Sequence, residues 1–211
     1  MVIYGDDTAS RAGTLTLVGG ELALDFANTS SGRGWPTHRE HLRSAADIVD
    51  WAGHAPVLPP EDAAWLREAT CSQPELGERL LASALTLRED IYTVGAEIAA
   101  GRPAPAERIE SLSRAHALCL ASARLAPFGS RYAWSWAVRT SPVEAVLGPI
   151  SLSAMTTLLQ ADLSRIKQCQ GEKCGWLFFD VSKNKSRRWC EMEICGNRAK
   201  QRRHGAKARE A

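Results

Sequence analysis

Four cysteines constrain this chain more than any other feature. Cys169, Cys174, Cys190 and Cys195 form two pairs, each enclosing four residues, with fifteen residues between the pairs. A divalent ion held by four thiolates needs a close pair from each of two segments and a connection long enough to bring them together without strain, and this spacing provides both. The 27 residues from Cys169 to Cys195 cannot bury much core of their own. Metal binding, at about 10–16 kcal/mol for structural zinc sites, would therefore be what folds them. Four thiolates leave no coordination position open to water, so the expected cofactor is one structural Zn2+ and not a hydrolytic centre. Iron and disulfide pairs are the competing readings, disfavoured by ligand type and by a reducing compartment. Cys71 and Cys119 lie apart from the cluster and are expected to be buried small hydrophobes.

Charge divides the chain at the same place. From Arg165 onward there are thirteen Lys or Arg against five Asp or Glu, whereas the preceding residues carry thirteen against nineteen. An acidic body with a basic tail points to a polyanionic partner. No run of about 20 apolar residues and no leader pattern is visible, so no membrane partner and a cytoplasmic location are expected.

The body reads as mainly α. Leu76, Leu80, Leu87, Ile91, Val94 and Ile98 recur at helical spacing over residues 75–100, and Gly101 and Pro103 stop that helix. Shorter helices are expected over 62–69 and 106–118, and from Ser44, where Asp47 three residues on makes a variant capping box. Alternation over 131–139 predicts a strand with Tyr132, Trp134, Trp136 and Val138 on one buried face, paired with residues up to Leu125 as a hairpin. After Pro142, Gly148 and Pro149 are expected to interrupt a helix that resumes over 151–166. Asp25 and Asn28 sit among apolar residues. A buried polar side chain must find partners, so they are read as a hydrogen-bond network first and as candidate ligand contacts second.

In the cysteine segment, residues 175–180 are expected to be a strand returning through a polar turn to a second strand at 187–190, followed by a helix from Cys195. The cations fall into two sets: Lys183, Lys185, Arg187 and Arg188 on the hairpin, and Arg198, Lys200, Arg202, Arg203, Lys207 and Arg209 on the helix. No acid stands between Glu193 and Glu210, so the like charges repel one another unless a polyanion relieves them. Duplex DNA is the expected partner, with cations on phosphates and Asn197, Arg198 or Arg202 as base readers. The competing reading is a zinc-stabilised protein-docking module with no DNA binding.

Arg187-Arg188-Trp189-Cys190 and Cys195-Gly196-Asn197-Arg198, preceded by Cys174-Gly175-Trp176-Leu177-Phe178 and Asp180, closely resemble the CGNR zinc finger family of bacterial proteins. The run Leu22-Ala23-Leu24-Asp25-Phe26-Ala27-Asn28-Thr29 is similar to the opening of the ABATE domain that accompanies this finger. The resemblance implies a stress-responsive transcription regulator. The residues themselves give a helical domain with a small hairpin over 14–166, expected beside a DNA-binding finger to bind an effector, form a homodimer, or both, and a finger of knuckle, hairpin and helix over 167–211. An enzyme in the first domain is disfavoured, since no nucleotide-binding glycine loop, His-Glu-x-x-His helix or nucleophile elbow is present.

Overall fold

The computed structural model describes residues 11–207. After a short turn at Ala12–Thr14 come α1 (Leu22–Ala27), a two-residue ladder of β1 (Ser30–Ser31) with β2 (Arg39–Glu40), α2 (Ala45–His54), α3 (Pro60–Ser72), α4 (Pro74–Ala99) and α5 (Ala106–Ala121). A hairpin of β3 (Arg124–Phe128) and β4 (Arg131–Ser135) leads to α6 (Pro142–Gln160). The chain closes with a turn at Leu163–Arg165, β5 (Ile166–Gln168), β6 (Leu177–Phe179), a wide turn at Met192–Gly196 and α7 (Asn197–Lys207). The fold is mainly α with small two-stranded sheets, as expected.

Local chemistry accounts for most element boundaries. Prolines occupy the first position of α3, α4 and α6, where a missing N–H costs nothing. Ser44 caps α2 by accepting from Asp47 N–H, and the Asp47 carboxylate accepts in return from Ser44 Oγ and Arg43 N–H. Gly101, at φ +69°, ends α4 with Arg102 N–H on Glu97 O and Gly101 N–H on Ile98 O, a left-handed cap that satisfies two terminal carbonyls. Leu80, Leu87, Ile91 and Val94 of α4 form the axis of the core, with Leu24 and Phe26 of α1, Trp51 of α2 and Val146 and Ile150 of α6 packed around it, and Leu76 is buried too. Phe26 meets Trp51 at 5.0 Å between ring centroids.

Several expectations require correction. Residues 142–160 form one helix: Pro149 lies inside α6 without breaking it, and the helix ends at Gln160, not at 166. By length and composition α6 could cross a bilayer, but Val146, Ile150 and Ala154 are buried in the protein's own core. The aromatic row of β4 is not one buried face. Val138 is 4% exposed and Trp136 packs on α6, but Tyr132 is 72% and Trp134 40% exposed. The reason is topological, since strand pairing stops at Ser135 and, among the described residues, no third strand joins the hairpin. Cys71 is exposed, whereas Cys119 is buried.

The expected strand partner of β6 is also wrong. β6 pairs antiparallel with β5, in the register Ile166 with Phe179 and Gln168 with Leu177. Residues 187–190 form no strand with β6; Arg188 O instead accepts from Gln170 N–H at 3.0 Å.

Candidate metal centre and nucleic-acid interface

The β5–β6 hairpin positions the first cysteine pair. Its loop runs from Cys169 to Trp176 and is closed by Cys169 N–H on Trp176 O at 2.8 Å. Lys173 (φ +62°) and Gly175 (φ +72°) take left-handed backbone to turn Cys174 back toward Cys169. Gly171 is required here, because a Cβ at that position would lie 2.9 Å from the Cys195 sulfur. In the second pair, Cys190 precedes the wide turn at Met192–Gly196 and Cys195 lies within it, just before α7.

The four Sγ atoms lie within 4.8 Å of one another, with Cys174 to Cys190 at 3.6 Å and Cys190 to Cys195 at 3.7 Å. A tetrahedral zinc with bonds of about 2.3 Å requires sulfur separations of about 3.8 Å, so the donor set fits the ion. Gly171 N–H points to the Cys169 sulfur at 3.3 Å, an outer contact of the kind that favours a thiolate. Cys169 is pushed well below the usual thiol range by hydrogen bonds from the thiols of Cys174, Cys190 and Cys195, while bonding to that same sulfur pushes Cys174 and Cys190 up. A central dication would allow all four to ionise.

Strand alternation makes β6 a member of two cores. Leu177 is fully buried in the helical core, and Phe178, on the opposite face, is fully buried against Cys169, Cys190 and Cys195. The helical body grips β6 through its polar groups. Asn28 donates through Nδ2 to Leu177 O and accepts from Leu177 N–H through Oδ1, both at 2.8 Å. Asp25 accepts from Gly19 N–H at 2.7 Å, and Gly19 O accepts from Phe179 N–H at 2.7 Å. Burial pushes Asp25 up to about 6, against the lowering effect of the Gly19 and Val18 amides. Tyr92 and Ser31 add bonds to Gly175 O and from Trp176 Nε1. These side-chain hydrogen bonds of Asp25 and Asn28 thus serve the joint with the cysteine segment.

Family comparison agrees with this geometry in both halves. Residues 20–161 match the ABATE family, described as "putative stress-induced transcription regulator", and residues 165–208 match the CGNR zinc finger. The chain belongs to the ABATE family. The CGNR tetrad is Cys195 to Arg198, and the four cysteines of the CGNR finger form one structural zinc site. No curated protein matches this ABATE chain.

The finger's cations occupy different environments. Arg187 is turned inward, stacked on Phe178 at 4.4 Å and donating to Trp189 O and Cys190 O. Arg188 lies over Trp189 and donates to Gln170 Oε1. Lys185 pairs with Asp162 at 2.6 Å, and Arg202 pairs with Glu172. Asn197 donates to Glu193 O one turn back. Lys183, Arg198 and Lys200 are exposed, and among the described residues no carboxylate pairs with them. The Arg203 side chain and residues 208–211, including Arg209, lie outside the described set.

The structure also reveals a cleft that the sequence did not signal. It encloses about 1200 Å³ between the finger and the segments around Arg11–Thr16 and Ser31–His41. Neither Asp25 nor Asn28 lines it.

Proposed function

We propose that this chain is a zinc-dependent, DNA-binding transcription regulator, in which residues 167–211 are the reader and residues 14–166 sense an effector or mediate homodimer formation. The observation that supports this most is the exposed cation set Lys183, Arg198 and Lys200, which meets no carboxylate among the described residues and stands on a zinc finger. These three are the leading phosphate contacts, with Arg188, Lys185, Arg202 and Arg203 behind them and Asn197 and Arg198 nearest the helix start as base readers. Arg187 serves the knuckle instead. This reading implies a reducing, cytoplasmic setting in which thiolates hold metal, and it assigns no catalytic step.

Selection of bound sequences from random duplex DNA tests the proposal, with Cys195→Ser as control. A sequence should be enriched by the zinc-loaded protein alone. Its log affinity should fall linearly with log salt, at about 0.9 per neutralised phosphate. Arg198→Glu combined with Lys200→Glu should abolish retention. A second reading, a protein-docking finger, is favoured by Val181, Met192 and Ile194, which are 76%, 59% and 43% exposed. No duplex retention at low salt would decide for it.

A further inference from the structure

The β3–β4 hairpin leaves both side chains and backbone unused. Leu125, Phe128, Tyr132 and Trp134 are exposed. Register sets Leu125 beside Trp134 and Pro127 beside Tyr132, so these four share one face of the hairpin. Gly129, at φ +59°, and Ser130 form the two-residue turn, which makes Phe128 and Arg131 a hydrogen-bonded pair. Bonded and open pairs then alternate along the ladder. Tyr132 and Trp134 of β4, and Leu125 and Pro127 of β3, therefore aim their backbone groups outward. Pro127 has no N–H to offer, which closes the β3 edge to a further strand. The β4 edge has no such guard. Among the described residues, no backbone group from outside the hairpin bonds to Tyr132 or Trp134.

A second copy of β4, laid antiparallel and centred on Ala133, uses all five residues of the strand. Ala133 then faces Ala133 of the copy, Tyr132 faces Trp134, and Arg131 faces Ser135. The outward groups of Tyr132 and Trp134 meet as hydrogen-bonded pairs, while Ala133 falls at an open pair, where Cα atoms approach to ~4.5 Å and a small side chain fits. Aromatic stands beside aromatic on the exposed face. No arginine lies opposite an arginine, whereas centring the match on Arg131 would bring two guanidinium groups together. The pairing also stops at two copies, because it consumes both β4 edges and leaves only edges that carry Pro127. Its strength follows from area. The exposed parts of the four apolar side chains amount to roughly 400–500 Å² per copy, given about 150–250 Å² for a whole aromatic side chain. Twice that falls short of the ~1,200–2,000 Å² of a standard stable interface, so the association is a weak one.

We propose that β4 is the homodimer strand of this protein, pairing with β4 of a second copy about Ala133 to give a four-stranded sheet in the order β3, β4, β4, β3. This develops the homodimer part of the function proposed above and does not depend on DNA binding.

Sedimentation equilibrium of full-length, zinc-loaded protein tests the pairing, with a monomer–dimer Kd on the order of 10 μM expected. Ser135 is exposed, and Ser135→Glu sets a carboxylate against Arg131 of the copy at two symmetric positions. It should tighten the dimer about two- to tenfold, and Ser135→Arg should weaken it by a similar factor. In an Arg131→Ala background Ser135→Glu should lose its effect. Ala133→Glu and Ala133→Lys should each be monomeric, and their equimolar mixture should dimerise. Zinc content and far-ultraviolet circular dichroism establish that each variant is folded, and the Ser135 variants decide alone if those at Ala133 are not. A parent chain still monomeric at about 200 μM, twentyfold above the expected Kd, overturns the proposal and leaves the edge to a partner of another kind. A dimer indifferent to charge at Ser135 overturns it as well. Dimerisation without duplex retention removes the DNA reading and leaves this one standing, whereas duplex retention by a chain that never dimerises does the reverse.

Discussion

Asn28 makes two hydrogen bonds to the backbone of one buried residue of β6, Leu177, and so ties α1 to the cysteine segment. Asn28→Ala removes both and leaves Leu177 N–H and C=O without partners in an apolar setting. A loss of about 2–4 kcal/mol is expected by chemical denaturation, since a net bond contributes about 1 kcal/mol and a stranded buried group costs about 1–3. Asp25 predicts a pH effect instead. Its pKa is raised from 3.8 to about 6 by burial, so the folded protein holds this proton more tightly than the unfolded chain does. Stability from this group is complete below about pH 4 and is lost as pH rises through about 6. Asp25→Asn keeps the acceptor for Gly19 and removes the charge. Its melting temperature should exceed that of the parent at pH 7, and the gap should narrow as pH falls toward 4; a gap constant with pH would refute the assignment. The sequence marked both residues as needing partners because they interrupt an apolar run. It could not say that Asp25 turns back to Gly19 while the partner of Asn28 lies 149 residues on, because a side chain's partner is a property of the fold.

At the scale of elements, periodicity served well wherever a segment was long and one-sided. α4 was legible to within a residue or two, because a 26-residue amphipathic helix bounded by Pro74 and Gly101 leaves few alternatives. Short extended segments were not legible. Residues 187–190 and 166–168 are both plausible partners for β6, and the choice is made by the packing of Leu177 on the helical body, which a local pattern does not contain. The β3–β4 hairpin failed for the opposite reason: alternation was real, but among the described residues Leu125, Phe128 and Tyr132 stay exposed. What anchors the hairpin is Trp136, which donates to Cys119 O at 2.7 Å and lies over Gly148 of α6. A Cβ at 148 would fall 2.4 Å from the indole ring. Gly148→Ala should therefore displace Trp136, cost about 1–3 kcal/mol from overpacking, and raise indole exposure to acrylamide quenching.

On the scale of the whole molecule, the cysteine spacing makes the zinc site readable from sequence, because four ligands of one type in two close pairs admit few other uses. The cleft was invisible by the same logic: Arg11, Arg39, Lys173 and Arg198 come from four separate stretches, and no local pattern joins them. The shared strand also sets how the protein should come apart. With Leu177 in one core and Phe178 in the other, removal of zinc should lower the melting temperature of the helical signal at 222 nm and not merely loosen the tail. Cys195→Ser should do the same without a chelator. A helical transition unchanged in the metal-free protein would show that the two cores melt independently.

Strand β6 also bears on exchange between proteins. A finger cut out near residue 165 and grafted onto a foreign scaffold would carry Leu177 and Phe179 as bare apolar surface and would leave an open slot along α1 and α4. Gly95 belongs to that slot, since a Cβ there would meet Leu177 Cδ1 at 2.7 Å. A chimaera would therefore need the Gly19 turn, Asn28 and a glycine at position 95 from the same parent as its finger, and swaps that ignore these three points should yield insoluble protein.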